Sequence, residues 1–427
     1  MTTTYSTFEA FRPHFNALAY VAYFKIIPKP SSGVKHTLHT VYRAVVWFLV
    51  IIYNLQHVIR VIQARHSTEQ AVNTLFVLLT TINTLGKQVA FNSRVERVDR
   101  LVATIEGPLF MARNTYDEKV LRSNAWIMSR LLMMYHGSIY LCGAMWGISP
   151  LVSKLSGEVE LTGYFPFDTS GWLGFGIAVA FNTIVITLQG YAHVTMDCTI
   201  VSLHAQTKVQ LQMLRNSLEH LTDSVGKTGR EICVQSTVYK DIEDTAFGVV
   251  LKKRLTRCVE HYKLIVWFHS EVEAVFSEAM IVQFFVIAWV ICMTVYKIAG
   301  LSLVSAEFFS MFVYLGCMLG QLFIYCYYGT QVKAESEFIN YSIYRCDWVS
   351  LSPRFRALLL ILMSRGMRPV APRIAYIIPM SIETYISVTL NSHSDSLFEV
   401  LRTTRGTPPV EPRIAHIISM SFEPEYR

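Results

Sequence analysis

Seven apolar segments divide this chain, and its lysines and arginines fall almost entirely on one side of them. The segments run Val41–Val61, Ala71–Phe91, Ile127–Leu151, Trp172–Val194, Ala274–Tyr296, Phe308–Tyr328 and Ile374–Leu401. A hydrocarbon core about 30 Å thick needs roughly 20 apolar residues in helical conformation, and most of the segments meet that length. The N-terminal stretch carries Arg12, Lys25, Lys29 and Lys35, and the second connection Arg94, Arg97, Arg100, Arg113, Lys119 and Arg122. A basic run from Lys208 to Lys263 occupies the fourth connection; the sixth holds Lys333, Arg345, Arg354, Arg356, Arg365 and Arg368. The odd-numbered connections offer only Arg65, Lys154 and Lys297. Basic residues stay on the cytoplasmic side, so the N-terminus is expected inside and, after seven crossings, the C-terminus outside.

The rest of the composition agrees. Apolar residues make up 52% of the chain and charged residues 16%, a balance expected of a polytopic membrane protein. The net charge of +7 is spread over several connections without a compact basic motif, so it reports topology and not nucleic-acid binding. No signal peptide is evident at the N-terminus. Of the eight cysteines, Cys142, Cys198, Cys292, Cys317 and Cys326 fall in or beside crossings and Cys233, Cys258 and Cys346 in cytoplasmic connections, which argues against a disulfide framework. The sequon at Asn340 falls on the inner side, where it would go unmodified. The orientation is opposite to that of a G-protein-coupled receptor.

The fourth crossing does not stop at the membrane. Val201, Leu203, Val209, Leu211, Leu214 and Leu218 continue it at helical spacing, Gly226 and Gly229 mark a turn, and Val249–Phe276 is a second long amphipathic stretch. Two helices that overrun the bilayer together predict an intracellular anchor bundle where subunits meet. The expected fold is an all-α membrane protein of seven transmembrane helices, N-terminus cytoplasmic, with that bundle beneath it. The third connection sets Glu158, Glu160 and Asp168 around Tyr164, Phe165 and Phe167 and reads as an acidic lid over the outer face.

The seventh crossing differs chemically from the others. Thr384, Ser387, Asn391 and Ser394 fall at i, i+3, i+7 and i+10, a continuous polar stripe on one helix face. Polar groups facing lipid cost several kcal/mol, so the stripe is expected to line water or to face protein. Beyond it the chain repeats itself: Pro369–Glu383 returns as Pro409–Glu423 with eleven of fifteen positions identical. The chain thus divides into 1–405, the seven-helix unit, and 406–427, a tail whose apolar run is too short to cross. No hydrolase, Walker or dinucleotide motif occurs, so no enzymatic activity, cofactor or metal is expected. His261 and His269 read as surface histidines on an amphipathic helix. Glu278 reads as a charge snorkelling from the end of the fifth crossing.

The stretch from Gln321 to Pro372 resembles the C-terminal signature of insect odorant receptors. The matching elements are Cys326 to Gly329, Glu335-Ser336, Trp348, the Arg-flanked helix Arg356 to Met363, and Arg368-Pro369. The Tyr164-Phe165-Pro166-Phe167-Asp168 loop and Asp197 followed by Gln210 and Leu214 are similar to further elements of that family.

The resemblance implies an odorant-gated cation channel that works as a heteromer with a common olfactory co-receptor, in the plasma membrane of olfactory sensory neurons. Its seventh helix would line the pore, with a hydrophobic gate near Val400 and Thr404; the polar stripe extended from Ser394 points instead to Phe398 and Leu401. Gustatory receptors share the architecture and stand as the alternative, with a metabotropic seven-helix receptor behind them. The resemblance also implies a ligand pocket in the outer half of the bundle. Residues there suited to a small volatile apolar odorant are Phe76, Leu79, Tyr140, Gly143, Trp146, Phe175, Val179, Phe308, Phe312 and Leu315.

Overall fold

The computed structural model describes residues 5–25, 33–63, 68–155, 157, 161, 163–223, 246–299, 306–349, 351–374 and 376–390. Helix dominates them. A 3-10 turn at Thr7–Ala10 precedes α1 (Arg12–Tyr20), and the long helices are α2 (Gly33–Gln63), α3 (Thr68–Ser93), α5 (Thr115–Leu155), α6 (Trp172–Glu219), α7 (Ala246–Ala299) and α8 (Ala306–Arg345). The shorter α4 (Val95–Ile105) and α9 (Pro353–Gly366) lie between them. An antiparallel pair, β1 (Arg373–Ile374) and β2 (Ile378–Pro379), then leads into α10, residues 382–390.

Five of these helices, α2, α5, α6, α7 and α8, are long and apolar enough to cross a membrane. With α3 at the second expected crossing and α10 opening the seventh, the architecture is that of an all-α membrane protein. The seventh helix starts later than its apolar segment suggests. Ile374 and Ile378 belong to the strand pair, Tyr376 turns the chain at φ 62°, and Pro379 has no N–H to give a helix.

The basic end of the molecule holds the largest core. Every residue of α6 from Val194 to Thr207 is buried, and a helix buried on all its faces must stand at the centre of a bundle. Helices α1, α5, α7 and α8 all pack against α6. The overrun predicted for the fourth and fifth crossings is therefore present. What the charge pattern conceals is the N-terminal contribution: Phe8, Phe11, Phe15, Leu18 and Phe24 all enter this core.

Helix α4 docks on α7 through Val98, Leu101 and Ile105. Its arginines reach α7 carboxylates: Arg97 and Arg100 lie 3.2 and 3.6 Å from Glu271, and Arg94 lies 2.6 Å from Glu278. Glu278 extends into solvent as expected, its side chain 79% exposed, with Arg94 as its ion-pair partner. His261 and His269, by contrast, are not surface residues, at 0% and 6% exposure. Amphipathic spacing shows that a helix has a buried face; it does not show how much of the remainder its neighbours cover.

On the other side of the bundle α5 and α6 approach closely. Gly143 and Gly147, one turn apart on α5, oppose Thr187 and Thr183 of α6; a Cβ on either glycine would crowd the threonine it faces. Small residues at this spacing let two membrane helices pack backbone to backbone.

Candidate functional site

At the end of the bundle away from the basic core, six helices close around one apolar cluster. Tyr53 of α2, Val77 of α3, Val185 of α6 and Val290 of α7 are its buried members, and Trp146 of α5 and Tyr314 of α8 pack against them. Phe181, Ile186, Val286, Trp289 and Met318 also pack against them. The side chains are bulky, apolar and drawn from every long helix, which is the composition of a site that holds a small molecule by burial.

The residues singled out from sequence divide between this cluster and other surroundings. Trp146 lies in it. Phe175 and Val179 are buried nearer the start of α6, and Lys154 Nζ sits 4.1 Å above the Phe175 ring while also reaching the carbonyls of Ser170 and Gly171 at 3.0 and 3.3 Å. Leu79 is half-buried on α3. Gly143 is taken up by the contact with Thr187. Tyr140 and Phe312 are 57% and 60% exposed; the first lies 6.0 Å from Tyr191 and the second stacks on half-buried Phe308 at 6.2 Å. Leu315 belongs to a neighbouring cluster with Ile287, Ile291, Leu322 and Cys326. The side chain of Phe76 lies outside the described residues.

The loop over the outer end is ordered where it is described. Asp168 accepts hydrogen bonds from the N–H and hydroxyl of Ser170 at 2.9 and 2.8 Å, and the Tyr164 N–H reaches the Gln56 carbonyl at 3.4 Å. Glu158 and Glu160, the other acids of the expected lid, lie outside the described residues.

Below the apolar cluster lies a charged network that the sequence reading did not assemble. Lys87 of α3 pairs with Asp197 of α6, their side chains 1% and 2% exposed. Asp197 also accepts from Tyr325 of α8 at 2.6 Å and from the Gln321 amide. His193 stands beside them, its Nε2 3.2 Å from Lys87 Nζ and 2.8 Å from Gln321 Nε2, with its Nδ1 3.0 Å from the Thr84 hydroxyl. A buried ion pair persists only where further hydrogen bonds satisfy both partners, and here α3, α6 and α8 supply them. The available signal was Lys87 itself, a lysine inside an apolar crossing.

Helix α8 links these two regions to the start of the seventh helix. Leu322 and Cys326 pack with Tyr385 and Val388 of α10. The motif residues after Cys326 fix that start. Gly329 leaves room for the Met380 backbone, which a Cβ would strike, and the Thr330 hydroxyl accepts the Ile382 N–H at 3.0 Å. Glu335 accepts from Gln212 at 2.6 Å and pairs with Arg215, while Ser336 accepts the Val370 N–H at 2.8 Å. Of the expected pore residues, Thr384 donates its hydroxyl to the Pro379 carbonyl at 2.8 Å, and Ser387 is exposed on α10. Asn391, Ser394, Val400, Leu401 and Thr404, with the tail 406–427, lie outside the described residues.

In the basic core, His261 Nε2 lies 2.8 Å from Gln210 Oε1, and an Arg113 guanidinium N–H donates to its Nδ1 at 3.2 Å. Gln210 in turn donates to the Phe110 carbonyl at 3.1 Å. Burial, with the Arg113 and Arg257 charges adding to it, holds the His261 pKa down at about 3. Burial beside His269 does the same to His204, also to about 3.

Comparison with known proteins places these features in a family. Residues 67–392 match the 7tm Odorant receptor family. Odorant receptor 46a, isoform A, of Drosophila melanogaster is 24% identical over 325 residues, covering 76% of this chain and 80% of its own. Odorant receptor Or1 of Anopheles gambiae is 21% identical over 343 residues, covering 78% and 80% respectively. Among solved structures, the olfactory receptor OR5 of Machilis hrabei superposes with a TM-score of 0.76 at 16% identity, covering 91% of this chain and 96% of its own. The same receptor in complex with eugenol gives a TM-score of 0.75 and covers 92% and 98%.

Proposed function

From the membership of this chain in the odorant receptor family of insects, we propose that it binds small volatile apolar odorants in the outer half of its bundle and gates a cation channel as a heteromer with the common olfactory co-receptor. The working location is the plasma membrane of olfactory sensory neurons. The observation that carries the reading is the arrangement along α8. Within about three turns, Tyr314 and Met318 face the apolar cluster, Gln321 and Tyr325 hold Asp197, and Leu322 and Cys326 contact α10. A molecule that displaces the first pair has a short mechanical route to α10, which carries Thr384 and Ser387 of the polar stripe. The pocket residues proposed are Trp146, Phe175, Val179 and Leu79 with Tyr53, Phe181, Val185, Tyr314 and Met318. The gate is proposed among Val400, Leu401 and Thr404.

The test is co-expression with the co-receptor in cells otherwise without odorant responses, and recording of currents while volatiles are screened. Odorant-evoked cation current that persists in excised patches without G-protein signalling supports the reading. Responses that vanish under a G-protein inhibitor favour a metabotropic mechanism.

A further inference from the structure

Along α6 a buried stripe on one helix face runs Phe175, Ala178, Val185, Gln189, Ala192 and Met196, its members three, four or seven residues apart. Five of the six are apolar. Gln189 is 1% exposed, and neither its amide nitrogen nor its amide oxygen meets a hydrogen-bond partner among the described residues. Its place in the stripe is telling. One turn outward, Val185 belongs to the apolar cluster with Trp146 and Tyr314; one turn inward, His193 is committed to the Lys87–Asp197 network. An unpaired amide in a medium that offers no hydrogen bonds is strongly unfavourable, and native structures keep one only where something else satisfies it.

A second polar atom of the same kind lies near the cluster. His57 is fully buried, its ring 4.3 Å from that of Tyr53, and its Nδ1 lies 2.8 Å from the Tyr53 carbonyl. A carbonyl only accepts, so Nδ1 carries the proton and Nε2 is an acceptor, again without a partner among the described residues.

We propose that Gln189 is the polar anchor at the floor of the odorant pocket, and that the receptor takes compact apolar molecules bearing one hydroxyl or carbonyl oxygen in preference to the hydrocarbon of the same skeleton. The proposal rests on the odorant-pocket reading above. The amide N–H donates to the ligand oxygen, and a hydroxyl can return a hydrogen bond to the amide oxygen. A hydrocarbon fills the same volume but leaves the amide unpaired, and a site with a committed polar group discriminates against such a ligand. Charged ligands are disfavoured because Lys87 and Asp197 already neutralise one another, so a carboxylate or ammonium would enter without a counter-charge.

The experiment uses the purified full chain in lipid nanodiscs, with tryptophan emission titrated by 1-hexanol, 2-hexanone and hexane. Trp146 and Trp289 line the cluster and report its occupancy. Gln189→Leu is expected to weaken hexanol and hexanone binding roughly tenfold while hexane binding is unchanged or tighter. Equal changes for all three ligands, or none for the oxygenated pair, overturn the proposal. If the leucine variant does not fold, Gln189→Met removes the same two polar atoms at similar length and gives the same comparison. Because fluorescence does not depend on gating, a Gln189-dependent preference in a chain that gives no odorant current when co-expressed with the co-receptor keeps this inference and refutes the channel reading. Odorant current together with a preference that Gln189 does not control has the reverse meaning.

Discussion

Lys87 on the second crossing and Asp197 on α6, just past the fourth crossing, form an ion pair sealed from solvent, with Gln321 and Tyr325 of the sixth crossing donating to the same carboxylate. Removing one charge strands the other. Lys87→Met alone is expected to destabilise the fold by roughly 3–5 kcal/mol, as is typical for breaking a buried pair. The double variant Lys87→Met with Asp197→Asn should recover much of that loss, because no net charge remains buried. Thermal unfolding in detergent and surface expression measure both; a double variant no better than the single would show that the hydrogen bonds outweigh the charges.

A pH dependence follows from the histidines of the basic core. His204 and His261 are held neutral down to about pH 3, whereas in the unfolded chain they protonate near 6.5. Between those values the unfolded state binds more protons, so stability rises with pH across that window and is lost as pH falls below about 6.5. Lowering pH from 7 to 5 should therefore reduce the melting temperature. Replacing His261 with Gln should flatten that slope by up to one proton, and an unchanged slope would mean that His261 is accessible and already titrating.

Cys142 on α5 and Cys317 on α8 have their sulfurs 3.9 Å apart. A disulfide requires about 2.05 Å, a gap that side-chain rotation can close where the helices already touch. Copper phenanthroline should link the two, so that fragments cut between residues 142 and 317 stay joined on a non-reducing gel. Cys142→Ser should release them. Fragments that separate in the native chain would refute the α5–α8 contact.

Trp146→Ala removes the largest α5 side chain from the outer cluster. The expected result is a response spectrum shifted towards bulkier odorants, with current driven directly through the co-receptor left intact. Dose–response curves across a ligand size series decide it; a spectrum that does not move places Trp146 outside the site.

The helical class, the overrunning fourth and fifth crossings and the family were all legible, because each is written in long-range hydropathy, in charge asymmetry, or in motif residues such as Gly329, Glu335 and Ser336. The facing of individual side chains was less so. Tyr140 and Phe312 are aromatic and lie in the expected half of the bundle, yet both are largely exposed, while Tyr53 and Phe181 went unnamed and line the cluster. Apolar character alone does not separate a lipid-facing residue from a cavity-facing one when both surroundings are apolar. His261 read as a surface residue for a related reason: Phe110 and Arg113, which help enclose it, come from a connection the charge pattern marks only as cytoplasmic. Lys87 was visible, but its partner lies 110 positions away.

Gly143 and Gly147 have a consequence for how this receptor can be retuned. With the Gly143 and Gly147 backbone of α5 set against the Thr187 and Thr183 side chains of α6, those two helices form a closely packed wall. The opposing side, α7 and α8, meets the cluster through the long side chains of Trp289, Tyr314 and Met318, which can change rotamer without moving a backbone. The cluster then has a rigid half and a compliant half. Changes of ligand breadth should accumulate on the compliant half, where a substitution alters shape at little cost to the scaffold. On the rigid half, even one added methyl group at a glycine must displace the threonine side chain it faces.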